Sequence, residues 1–308
     1  MNRRIMRLVS WTVASVICLA GCLLATQDNP LDTDDTAPPA VGASGEHFRL
    51  ETPFGPIHLW RPEDYDPRTA GTVIYVHGYF TGADEAWEAD RLAAQFEASH
   101  QNALFIVPEA PASKYEEVPW KSLESLLRTV DEVGPFPVPT GPVAAVGHSG
   151  AFRTILGWLP NPRLHEVILL DGLYNGQRDF SAWLRSSPGT RSHRMILVAS
   201  ATRRKSDRFA RRQPGVARRP SVPVEFSQLT PRERHASLIY LRSQYTHSEM
   251  ISSGRVIPVL LKFAAATALP ESPVRTAAVR RKSATAGTKK ASLSSQRAHA
   301  NSSQKASL

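Results

Sequence analysis

Residues 143–154 read VAAVGHSGAFRT, and the rest of the chain is understood from them. A β-prone apolar run leads to Gly147, the chain reverses through His148, Ser149 and Gly150, and Ala151, Ile155, Leu156 and Trp158 then follow a helix-like pattern. The order is strand, tight turn, helix. A serine at the apex of such a turn is pushed clear of the sheet with its hydroxyl exposed, and small neighbours are needed because the backbone there is crowded and strained. Gly147 and Gly150 supply that room. The turn also aims the Gly150 N–H, at the start of the new helix, toward a negative oxygen forming beside Ser149. A serine between two glycines is equally an ordinary surface turn, so the context has to decide.

Outward from this stretch, residues 73–76, 103–107, 167–170, 195–199 and 238–241 are further short apolar runs, and residues 87–98, 123–130, 151–159 and 256–266 carry the better helical patterns. Residues 47–52 and 57–61, separated by Pro53-Phe54-Gly55-Pro56, read as an opening hairpin. Strands buried on both faces and alternating with helices imply an α/β domain, a mostly parallel sheet covered on both sides. That is the architecture in which such a turn presents its serine.

The pentapeptide Gly147-His148-Ser149-Gly150-Ala151 resembles the nucleophile elbow of the α/β-hydrolase superfamily, with Ala in place of the last glycine. The resemblance spans roughly residues 47–269 and implies an α/β-hydrolase fold and serine hydrolase chemistry through an acyl-enzyme, with no metal or organic cofactor. It carries over to single positions. His247, in Tyr245-Thr246-His247-Ser248-Glu249-Met250 after the last strand, matches the general base. His77-Gly78-Tyr79-Phe80 matches the strand-end His-Gly after which a backbone N–H joins the oxyanion hole, so Tyr79 pairs with Gly150 as donor and His77 orders the loop. His148 is expected to point away from Ser149 and to pack against neighbours.

The orienting carboxylate has two candidates. Asp171 ends the apolar run Leu169-Leu170 and is expected to be partly buried, which suits a group that holds imidazole in one tautomer. The superfamily's commoner acid position follows the next strand, where Ser200-Ala201-Thr202 contains no acid and Asp207 comes late among Arg and Lys. Asp171 is preferred and Asp207 is the alternative. Only about two dozen residues separate Asp171 from Met195, which leaves little or no room for a cap domain. Asp84, Glu109, Trp120, Tyr174 and Trp183 lie near strand ends and are candidates to line the pocket, with ordinary packing or solvation as the competing role.

Composition bounds the remaining classes. The chain has 308 residues, 42% of them hydrophobic, and a formal net charge of +9. The positive charge is concentrated in residues 1–21, 203–219 and 272–308, so the remainder is net acidic. Arg3, Arg4 and Arg7 precede an apolar run that ends in Leu19-Ala20-Gly21-Cys22, which looks like a bacterial lipoprotein signal over residues 1–21. Cys22 is then the lipidated mature N-terminus and residues 22–45 a flexible tether. The expectation is a protein anchored by lipid to a membrane of the bacterial cell envelope, its hydrolase domain (residues 46–270) outside the cytoplasm.

Residues 271–308 read as a disordered basic tail and residues 203–219 as a solvated basic loop. Neither interleaves aromatics for base stacking, which argues against nucleic acid as a partner. The expected partner is a small-molecule or peptide ester or amide, and oligomeric state is left open. The competing readings are a catalytically silent hydrolase fold serving as an envelope scaffold, and a carrier whose basic segments contact polyanions.

Overall fold

The structure is a computed structural model that describes residues 43–186, 193–263 and 267–268. The signal segment, Cys22, nearly all of the tether and the basic tail lie outside the described residues. Strands β1 (Gly45–Leu50) and β2 (Ile57–Pro62) form the expected hairpin. They are followed by β3 (Gly71–Val76), helices α1 (Ala83–Ala89) and α2 (Leu92–Ser99), β4 (Gln101–Pro108), α3 (Leu123–Val133) and β5 (Val143–His148). After a short 3-10 turn come α4 (Phe152–Trp158), β6 (Leu164–Leu170), α5 (Gln177–Arg185), β7 (Arg194–Ala199), α6 (Arg203–Arg211) and β8 (Ala217–Arg219). The described chain closes with α7 (Pro231–Arg234), β9 (Leu238–Arg242), α8 (Glu249–Ser252), α9 (Val256–Leu261) and β10 (Thr267–Ala268).

The sheet order is β1-β2-β4-β3-β5-β6-β7-β9-β8, with β10 paired to β4. The β1–β2, β2–β4 and β4–β10 pairings are antiparallel and the others parallel. Successive side chains of a strand point to opposite faces, and here both faces are apolar. Ile74, Val76, Val167, Leu169 and Leu197 enter one core with residues of α3 to α6, while Val73, Tyr75, Ile168, Leu170 and Val198 enter a second with α1, α2 and α9. Each such side chain, fully buried, contributes about 1.5–3 kcal/mol. The doubly covered parallel sheet is the architecture expected from the sequence.

Two elements differ from the sequence reading. The helix expected over residues 87–98 is two helices, broken where Arg91 turns left-handed at φ 49°. Trp87, Leu92 and Phe96 face the same core across the break, so the apolar pattern runs through it. The basic segment 203–219 is not a solvated loop: it contains α6, whose Phe209 and Ala210 are buried, and the edge strand β8. Its burial rests on so few apolar residues that the charge hides it. A short, arginine-bearing edge strand is how sheets discourage further pairing, and such a strand leaves no hydrophobic signal.

Candidate active site

The elbow after β5 is built by close approach. A Cβ on Gly147 would lie 2.5 Å from Ile155 Cδ1 and 3.0 Å from the Ala151 Cβ, so a side chain at 147 would displace Ile155 and crowd Ala151, which glycine avoids. Ser149 itself sits at φ 51°, a left-handed conformation costing a non-glycine residue on the order of 1–3 kcal/mol and sustained only by surrounding structure. Here the strand before it and the helix after it hold the turn.

Asp171, at the end of β6, is fully buried and also left-handed, with φ 49°. Its Oδ1 accepts from the Ser200 N–H (3.0 Å), the Thr202 N–H (2.8 Å) and the Thr202 hydroxyl (2.6 Å). Its Oδ2 accepts from the Ala201 N–H at 2.9 Å and lies 2.8 Å from His247 Nδ1. Burial acts to raise this carboxyl's pKa, but the bonds from His247, Thr202 and Ser200 outweigh it, and Asp171 lies well below the usual carboxylate range. It is therefore an acceptor at every working pH, so His247 carries its proton on Nδ1 and leaves Nε2 as the basic nitrogen. The loop after β7, where the sequence offered no nearby acid, supplies the donors that cradle Asp171. Thr202 was not anticipated; a hydroxyl and three successive N–H groups after a strand carry no sequence signal until their acceptor is known.

Asp207 lies elsewhere. From α6 its carboxylate bonds Arg242 at 3.2 Å and reaches Tyr240, not His247. His148 is buried, as expected of a packing residue, and what it packs on is the base candidate. Its ring centroid is 4.5 Å from that of His247 and its Nε2–H donates to the His247 carbonyl at 3.0 Å. Burial first, and then the neighbouring His247, push the His148 pKa down to about 4. A neutral His148 can hold the His247 loop without repelling an imidazolium.

The loop after β3 closes on the elbow from the other side. A Cβ on Gly78 would meet Ser149 Cβ at 3.0 Å, and one on Gly150 would enter the Tyr79 ring at 2.5 Å. Phe80, at φ 67°, donates its N–H to the Ala112 carbonyl at 2.8 Å, whereas the N–H groups of Tyr79 and Gly150 take no part in the turn and loop hydrogen bonds among the described residues. His77 braces this loop between the Gly78 carbonyl (2.8 Å) and Glu109 (3.0 Å).

Of the five residues offered as pocket lining, Tyr174 lies near Ser149 and Asp171, both of which act on its hydroxyl, although no hydrogen bond between the Tyr174 and Ser149 hydroxyls is closed. Glu109 ties His77 to the Ala83 N–H, and Asp84 is engaged by Arg49 and His58. Trp120 is buried against Phe54 and Trp183 is stacked on His193. No bond between the Ser149 hydroxyl and His247 is closed among the described residues, and apo sites commonly leave this contact open. Nor do the described residues contain a cluster of three or more His, Cys, Asp or Glu able to hold a metal. No helix among them is long and apolar enough to cross a membrane.

No protein-family model matches the sequence, and no curated protein matches it significantly. Solved structures do resemble it. One described as FAE superposes with a TM-score of 0.50 at 10% identity, covering 72% of this chain and 90% of that one. The feruloyl esterase module from Clostridium thermocellum complexed with sinapinate gives 0.47 at 10% identity, over 70% and 88% of the two chains. An S-formylglutathione hydrolase from Agrobacterium tumefaciens gives 0.45 at 12% identity, over 73% and 96%. At such identities a resemblance speaks for architecture alone, and the superposition at 0.50, together with the sheet order and the turn after β5, gives this chain the α/β-hydrolase fold.

Proposed function

We propose that the protein is a serine hydrolase that cleaves an ester, amide or peptide bond through an acyl-enzyme. Ser149 is the nucleophile, His247 the base and then the acid, Asp171 the orienting carboxylate, and the Tyr79 and Gly150 N–H groups the oxyanion donors. The observation that carries this reading is the 2.8 Å contact between His247 Nδ1 and a buried, strongly acidic Asp171. Such a pair leaves Nε2 free to take a proton and stabilises the imidazolium that results. The Ser149 oxygen attacks the carbonyl carbon as its proton passes to Nε2, and the tetrahedral oxyanion falls to the two N–H groups. Collapse expels the leaving group, protonated by His247. Water, deprotonated by the same nitrogen, then releases the acid and regenerates Ser149.

The competing reading is a silent fold, favoured by one observation: the Ser149 hydroxyl neighbours Tyr174 and its bond to His247 is open. A serine-directed fluorophosphonate separates the two. Covalent labelling of the wild type, absent from Ser149→Ala, supports the hydrolase, whereas equal labelling of both would remove Ser149 as nucleophile. We further propose that Cys22 is lipidated and holds the domain to a membrane of the cell envelope. Mass spectrometry of the mature N-terminus and membrane partitioning of Cys22→Ser test this, and an intact Met1 on the membrane-bound protein would overturn it.

A further inference from the structure

The two loops that flank Asp171 lead into α5 and α6, and between those helices lies a cleft of about 670 Å³. It meets the candidate active site at Tyr174, the residue beside the Ser149 hydroxyl. Arg178 and Arg185 line it from α5 and Lys205, Arg208 and Arg212 from α6 and its end, with Phe209 also in the wall and no carboxylate among the lining residues. Arg185 donates to the Ser181 hydroxyl and Lys205 to the Tyr174 carbonyl, and none of the five cations forms an ion pair among the described residues. The nearest acids of the two helices do not neutralise them: Asp207 pairs with Arg242, and Asp179 is exposed outside the wall. All five cations are exposed to solvent, which screens their mutual repulsion without abolishing it, and an anion that joins them relieves it.

From these observations we propose that the α5–α6 cleft is an anion-recognition site, and that the group it takes is a carboxylate, sulfonate or phosphate of the substrate, displaced from the scissile bond. The second half rests on the hydrolase reading above. An anion bound at this place lies on the Tyr174 side of Ser149, so guanidinium contacts to it orient an ester in the site and also draw it in from solution. Tyr174 is then the partition between the cleft and the reacting atoms. The cleft thus narrows the substrate class from esters in general to esters that carry negative charge.

Matched esters test this. On the acyl side, mono(4-nitrophenyl) glutarate is compared with 4-nitrophenyl valerate, and on the alcohol side, 4-acetoxybenzenesulfonate with phenyl acetate. The expected result is a kcat/KM preference of about tenfold or more for an anionic member of one pair, declining as salt is added. In the triple variant Arg178→Gln, Arg208→Gln, Arg212→Gln that preference disappears while the neutral esters are cleaved as before. No preference in either pair, or a preference unchanged in the variant, would overturn the proposal.

A binding arm keeps this distinct from failure of the hydrolase reading: inorganic pyrophosphate is titrated calorimetrically into the Ser149→Ala protein with and without the three Gln substitutions. Binding that depends on the three arginines supports the anion site even where fluorophosphonate labels nothing. Absence of binding, or binding indifferent to the arginines, counts against it. A thermal melt of the triple variant, with the single change Arg208→Glu as its replacement should the triple fail to fold, keeps the comparison interpretable.

Discussion

At the level of single residues, Asp171 concentrates the most consequence. Every oxygen lone pair that matters is matched by a donor, so an amide in its place presents an N–H group toward one of them. Asp171→Asn is expected to lower turnover by about 10⁴ through the wrong His247 tautomer. It is also expected to cost stability, about 1–3 kcal/mol, because the Ala201 N–H then faces a donor. Steady-state kinetics and a denaturant melt on the same sample check both. The four donors of the β7 loop are what add this cost to the loss of turnover. Asp207→Asn is expected to leave turnover near wild type and to cost at most about 1 kcal/mol, since its partner Arg242 is half exposed. Loss of activity in Asp207→Asn with an active Asp171→Asn would reverse the assignment.

Between elements, the site depends on how closely the loop after β3 sits on the elbow. Gly150 is needed because the Tyr79 ring occupies the space of its missing side chain. Gly150→Ala is therefore expected to push the Tyr79 loop outward and separate the two N–H groups proposed as oxyanion donors. The expected loss is about 10²–10³ in kcat with little change in KM, the scale seen when an oxyanion donor is removed. Comparing kcat and KM separately is the check, and a variant with normal kcat would mean that the Tyr79 N–H is not used. The contact between the loop carrying His247 and the elbow works in the same manner, through the His148 bond to the His247 carbonyl.

Across the whole molecule, buried titratable groups pull stability in opposite directions with pH. His148 has its folded pKa depressed to about 4, so the unfolded chain binds its proton first on acidification. Its contribution is present above the unfolded value near 6.5 and is lost as pH falls from there toward 4. His47 and His58, lowered by burial, act with the same sign. Asp90, raised to about 6 chiefly by burial, acts the other way: the protonated form is the one the folded state favours, and stability is lost as pH rises from about 4 through 6. Asp90→Asn is accordingly expected to raise the melting temperature at pH 8, by about 1–2 kcal/mol of stability, and to gain little at pH 4. His148→Asn is expected to flatten the fall in stability between pH 6.5 and 4. Melting curves of the three proteins at half-unit pH steps check both, and an Asp90→Asn protein less stable than wild type at pH 8 would show that the carboxylate is needed.

The alternation of apolar runs with helical patterns determined a two-sided parallel sheet because burial on both faces leaves strands no polar alternation, and that constraint is local enough to be written in each run. Gly147, Ser149 and Gly150 were legible for the same reason, since a crowded turn admits few residue types. The break at Arg91 and the helix over residues 203–211 were not legible. One sits inside an uninterrupted apolar pattern, and the other buries so few side chains that its charge dominates the composition. Which of Asp171 and Asp207 lies beside His247, the Ser200–Thr202 cradle, the contact from His148 and the convergence of cations between α5 and α6 are visible only in three dimensions. Each is a meeting of groups dozens of residues apart, and a hydrogen bond or a shared cleft depends on ångström distances between side chains that no spacing along the chain encodes.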